Sequence, residues 1–191
     1  MLATLILMTS PLVAQDSLTV PKKFKYFFTI NTGFLGGERM KSITFSANTV
    51  HGITIGKRFR VGVGIGIDSY RDVQTMPLFG QVSFDLIQFE NRNSVFLQAN
   101  YGWSHAWPQV QDGYVSNPTS GGKTHGLILG YRFAVGEMNI SLGAGYKYQE
   151  TRSSYQSPFV IDWASSIYSP YSQVINHNYE RFAVMVGVGW R

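Results

Sequence analysis

The chain's 191 residues amount to one domain, and only 14% of them are charged. Formal net charge is +5, but the 16 basic residues are scattered along the chain, with short groupings such as Lys22, Lys23 and Lys25, which excludes a basic stripe for nucleic acid. The absence of cysteine excludes a disulfide framework, a thiolate metal site and a lipoprotein anchor.

An aromatic content of 15% and 20 glycines, added to low charge, suit either an all-β membrane barrel or a secreted sandwich. The order of residues decides between them. Residues 1–15 read as a secretory signal peptide: apolar Met1 to Met8, a break at Pro11, and small Ala14 for cleavage. No Lys or Arg precedes the apolar run and Leu12 stands where a small residue is usual, both departures from the common pattern. The run is too short to cross a bilayer as a helix, and no other segment approaches ~18 apolar residues. The remaining domain, residues 16–191, is soluble after export or crosses a membrane as strands.

Eight alternating stretches follow. The first, Phe24 to Leu35, sets Phe24, Tyr26, Phe28, Ile30 and Phe34 on one face against Lys25, Thr29, Asn31 and Gly33 on the other. The second, Ile43 to Gly56, turns Phe45, Ala47, Ile53 and Ile55 outward, interrupted by Thr49 and His51. The third, Phe59 to Tyr70, carries the clearest signal. From Phe59 to Ile67 every odd residue is large and apolar, and every even one is Gly or Arg. A soluble sheet would cover that apolar face with a second layer, and no window has the helical period that could supply one. The apolar face therefore meets lipid and the other lines a narrow barrel.

The fourth stretch, Met76 to Phe89, points Leu78, Val82, Phe84 and Leu86 out and Gln81, Ser83 and Asp85 in. The fifth, Val95 to Trp107, and sixth, Lys123 to Val135, continue the pattern, as does the seventh, Met138 to Gln149. The eighth, Tyr179 to Trp190, ends in an aromatic followed by Arg191, close to the C-terminal strand signal of outer-membrane proteins. Short links at Lys57-Arg58, Glu90 to Ser94 and Gly136-Glu137 alternate with longer ones at Gly36 to Ser42, Arg71 to Thr75, Pro108 to Gly122 and Thr151 to Asn178. That is the rhythm of periplasmic turns and extracellular loops. The fold expected is an all-β, eight-stranded, antiparallel, up-and-down transmembrane β-barrel in the outer membrane of a Gram-negative cell. Tyr101, Trp103, Trp107, Tyr146 and Tyr148 fall at the outer interface, Phe133 and Trp190 at the inner one.

Eight strands leave room for side chains and little else. Inward glycines, among them Gly62, Gly64, Gly66, Gly102, Gly143, Gly145, Gly187 and Gly189, leave space for bulky polar residues opposite. Parity sends Arg60, Asp85 and Arg132 into the lumen near the periplasmic end, and Asp68, Lys147 and Arg181 nearer the outside. A charge buried without a partner costs several kcal/mol. The expectation is two ion-pair clusters in place of a hydrophobic core, with conduction of protons or ions as the rival use of the same groups.

No cofactor and no metal site is expected. His51, His105, His125 and His177 lie on four segments with no ligand spacing. Gly62 to Gly66 is followed by more strand, so it is not a phosphate loop. Ser104-His105 echoes the Ser and His of barrel enzymes that deacylate lipid A, yet strand neighbours point to opposite faces. The fourth long link offers Tyr155, Phe159, Trp163, Tyr168 and Tyr171 among Ser and Pro, a set suited to contact with sugar, peptide or a protein neighbour. The competing view is that these rings extend the interfacial girdle.

Several runs carry a family likeness: His51-Gly-Ile-Thr-Ile-Gly-Lys-Arg-Phe59, then Val63-Gly-Ile-Gly-Ile-Asp-Ser-Tyr70, Pro77-Leu-Phe79, Phe96, and Tyr101-Gly-Trp-Ser104. From Phe24 to Arg191 the chain resembles small outer-membrane β-barrel proteins of the porin-like superfamily, of the Bacteroidota type. The resemblance implies the fold and no catalytic residue. The function expected is a structural or recognition role in the cell envelope without catalysis. Its partners would be outer-membrane lipid and lipopolysaccharide, and an envelope protein or glycan. A narrow channel for small solutes or hydrophobic compounds, and a lipid A acyl hydrolase, are the alternatives.

Overall fold

A computed structural model of the chain describes residues 24–37, 43–70, 73–108, 119–157 and 171–190. The proposed signal peptide lies outside them. Eight strands run β1 Phe24–Gly36, β2 Ile43–Ile55, β3 Phe59–Ser69, β4 Val73–Gln88, β5 Ser94–Pro108, β6 Thr119–Val135, β7 Met138–Ser157 and β8 Tyr171–Trp190. They pair antiparallel in sequence order and close into a barrel through β1 and β8.

The alternation read from the sequence becomes the two faces of the wall. Val63 is 65% and Leu78 64% exposed, as are Ile65, Ile67, Leu127, Leu129 and Phe182 to similar degrees, while Gly62, Gly64 and Gly66 are buried. A water-soluble protein would not present such a continuous apolar belt. His51 does lie on this outer face. Its Nδ1 is 2.6 Å from the Tyr26 hydroxyl and its ring packs on Phe28, so one polar residue is partnered on a lipid-facing wall.

Two sequence expectations need correction. The fourth long link is not loop from Thr151 to Asn178: β7 continues to Ser157 and β8 begins at Tyr171, paired throughout. Residues such as Thr151, Arg152, Asn176 and Asn178 lack apolar alternation because strand above the hydrocarbon meets water on both faces. The β6 start shifts similarly, from Lys123 to Thr119. The lumen, moreover, is not filled by polar groups alone. Phe27, Val50 and Phe79 form one apolar cluster, and Leu35, Tyr70, Ile128 and Ala183 another. Several glycines make room for rings rather than for polar groups. A Cβ on Gly64 would lie 2.5 Å from the Phe79 ring, and one on Gly130 2.5 Å from Phe96.

The short links are tight. Ile55↔Phe59 encloses a turn whose Gly56 has φ +65°, and Val135↔Met138 encloses Gly136-Glu137 with Gly136 at φ +63°. The third turn, between β4 and β5, is closed by Phe89 N–H to Asn93 O at 2.9 Å and Arg92 N–H to Phe89 O at 3.1 Å. At the opposite end the rim is uneven. The β1–β8 ladder stops at Gly36↔Phe182, whereas β7–β8 continues to Ser157↔Tyr171. The β7–β8 hairpin thus extends roughly 35 Å along the strand past the end of that ladder, at ~3.3 Å per residue.

Candidate functional site

Two layers of charged side chains occupy the barrel axis. Nearest the short turns, Asp85 receives Arg132 Nη1 at 2.5 Å and has Arg60 Nη2 at 3.9 Å, all three groups almost fully buried. Arg132 also lies 4.4 Å over the Phe96 ring, and Arg60 5.9 Å over Phe27. Two guanidiniums therefore share one carboxylate between two aromatic faces. A chamber of about 20 Å³ beside them, bordered by Arg60, Gln81, Ser83 and Arg132, has room for about one water.

In the outer half, Asp68 accepts from Lys147 Nζ at 2.6 Å and from Ser46 Oγ at 2.6 Å. Arg181, assigned to this cluster from the sequence, lies over two rings in this half, 5.9 Å from Tyr70 and 5.6 Å from Tyr179. Tyr70 stacks on Tyr179 with centroids 4.6 Å apart. Just past the end of β3, burial, reinforced by the nearby Asp68 carboxylate, pushes the Tyr70 phenol well above its usual range, so it stays neutral. Ser46 was missed in the sequence reading although its inward parity was visible between Phe45 and Ala47.

The outer wall carries aromatic and polar groups where the long links begin. Tyr101 meets Trp103 edge-on at 5.5 Å, and His125 stacks on Tyr148 at 4.6 Å, whose hydroxyl reaches Glu150 at 3.2 Å. Among the loop residues proposed for recognition, Tyr155 lies on β7 and Tyr171 on β8, in strand rather than loop. Phe159, Trp163 and Tyr168 lie outside the described residues.

The acyl-hydrolase arrangement does not assemble among the described residues. Ser104 faces inward, giving a hydrogen bond to Gly122 O at 3.3 Å and receiving one from Gln149 Nε2 at 2.5 Å. His105 is outside, 6.1 Å from Trp107, and His125 is engaged with Tyr148. No cluster of His, Asp or Glu suited to a metal ion occurs among the described residues.

At the short-turn end the barrel opens into a cavity of about 800 Å³, with Lys25, Lys57, Arg92 and Glu137 around it and Thr54 and Asn139 lining it. Lys25, read as an interior charge, stands exposed at this mouth.

The sequence matches no protein-family model and no curated protein. Among solved structures the chain is similar to Neisserial surface protein A, with TM-score 0.55 and 16% identity over 88% of this chain and 96% of that one. It is also similar to the outer membrane protein OprG from Pseudomonas aeruginosa, with TM-score 0.57 and 11% identity over 86% and 94%. At these identities the likeness is one of fold: that of a small outer-membrane β-barrel.

Proposed function

We propose that this barrel resides in a Gram-negative outer membrane, after removal of a signal peptide, as a non-catalytic recognition and structural component. Its Bacteroidota-type likeness belongs to this proposal. The short turns then face the periplasm and the long links the cell exterior. The carrying observation is the pairing of a crossed-off lumen with a tall β7–β8 hairpin. Buried ion pairs and Phe27, Phe79 and Phe96 fill the axis, while β7 and β8 pair far past the rest of the rim, up to Ser157↔Tyr171, and the link that joins them is rich in aromatic and hydroxyl residues by sequence. Such a surface suits lipopolysaccharide sugars, a surface glycan or an envelope protein.

One observation favours the channel alternative in a restricted form. Pro77, lacking an N–H, interrupts the β3–β4 ladder between Ile65↔Leu78 and Asp68↔Thr75. An apolar groove of about 350 Å³ on the outer wall, bordered by Ile65, Ile67 and Met76, lies beside that break. A small hydrophobic compound could rest there.

The test replaces residues 158–170 by Asn-Gly. The variant should keep heat-modifiable gel migration yet lose binding to lipopolysaccharide-containing vesicles relative to phospholipid ones. Unchanged binding would refute loop recognition, and stable single-channel openings in planar bilayers would favour the channel.

A further inference from the structure

The three short turns each contain one residue in the left-handed region. Two are glycines, Gly56 and Gly136; the third is Arg92, at φ 65°. Arg92 closes the Glu90-Asn91-Arg92 loop of the β4–β5 hairpin, a three-residue loop whose last position ordinarily takes Gly or Asn. Asn91 and Asn93 flank it, so a residue better suited to that backbone stands one step away on either side. Asn93 has its own task, accepting Ala134 N–H at 3.0 Å and tying this turn to β6. Backbone strain at a non-glycine residue persists where the side chain is used.

The Arg92 side chain borders the 800 Å³ mouth together with Lys25 and Lys57, and Glu137 is the one acidic residue lining it among the described residues. These three come from three separate places on the rim: the start of β1, the β2–β3 turn and the β4–β5 turn. Gln88 Nε2 holds the Lys57 carbonyl at 2.6 Å, joining two of those turns. Asn139 lines this cavity and also the one-water chamber next to Arg60 and Arg132. Both of those guanidiniums face Asp85. The mouth is therefore a cationic vestibule, a field that gathers anions.

We propose that the short-turn mouth is a binding site for a solute or polymer end bearing two or more phosphate or carboxylate groups, with Arg92, Lys25 and Lys57 as its ligands. It is independent of the loop-recognition reading, because it uses the other end of the barrel. Guanidinium at a fixed turn can form paired hydrogen bonds to one anionic group, while the two ammoniums serve as point charges for another. Glu137 disfavours a ligand of high charge density placed close to the β6–β7 turn.

The test uses the full mature chain folded in an uncharged detergent, with pyrophosphate and citrate titrated calorimetrically at low ionic strength. Phosphate and carboxylate sources are thereby separated. Saturable binding of either is expected, weakening as salt screens the exposed charges. Arg92→Gly separates binding from folding, because Gly fits the left-handed position. Its urea midpoint should be unchanged or higher, while affinity falls roughly tenfold for loss of a charged hydrogen-bonding group. Lys57→Gln should weaken binding, and Glu137→Gln should strengthen it. Absence of saturable binding to both anions, or an affinity that Arg92→Gly leaves unchanged, would overturn the proposal.

Discussion

Replacing Asp85 by Ala is the sharpest test of how this barrel is held from inside. The carboxylate is about 1% exposed and is shared by Arg132 at 2.5 Å and Arg60 at 3.9 Å. Removing one partner from a buried ion pair costs about 3–5 kcal/mol, because an uncompensated charge remains. Here two guanidiniums remain, which argues for the upper end. Their positions over Phe96 and Phe27 offset part of that, at about 1–2 kcal/mol for a desolvated cation on a ring. A net loss of about 3 kcal/mol is the expectation. With a urea slope of roughly 2–3 kcal/mol per molar, the unfolding midpoint in detergent micelles should fall by about 1 M. Asp85→Asn, which keeps an acceptor but not the charge, should lose about half as much. The double replacement Asp85→Leu with Arg132→Met should recover much of the loss, since apolar substitutes for a buried pair are often neutral. A midpoint shift below about 0.3 M for Asp85→Ala, with heat-modifiable migration unchanged, would refute the account.

The outer cluster makes a similar forecast: Asp68→Asn should lower the midpoint by less than Asp85→Ala, because Ser46 can still donate to the amide oxygen and only Lys147 loses its charge partner. Gly64→Ala should cost about 1–3 kcal/mol by driving a methyl into the Phe79 ring, and the double variant with Phe79→Leu should recover part of it. Both are read from urea titrations followed by tryptophan fluorescence. Val63→Arg, on the exposed belt, should cost about 2–4 kcal/mol in lipid bilayers. A negligible cost there would mean that this face does not meet hydrocarbon.

The barrel was legible because one physical rule governs most of its residues. Where one face meets lipid and the other a crowded lumen, alternation is compulsory, and Phe59 to Ile67 records it residue by residue. The same parity reached the charged groups: Asp85 and Arg132, 47 positions apart, could be placed at one depth by measuring each from its nearest turn. Beyond the hydrocarbon the rule lapses, which is why Thr151 to Ser157 read as loop although it is strand. Inward Phe27, Phe79 and Phe96 were overlooked because apolar residues on both faces blur the period. Their glycine neighbours were legible as gaps, but what fills a gap depends on cross-strand register, which a single sequence does not reveal. Arg92 was recognised only as part of a turn, since its unusual backbone angle leaves no mark in residue type.

Of the eight ladders, the shortest joins the chain's two ends, running only from Phe28↔Trp190 to Gly36↔Phe182. Before it zips, the chain is an open ribbon with two raw edges, and hydrocarbon charges several kcal/mol for each bare amide or carbonyl. Closing it must also gather residues separated by almost the whole polypeptide, the least probable encounter in the topology. Insertion should accordingly be an all-or-none act decided at this seam, with no half-sealed cylinder stable enough to accumulate.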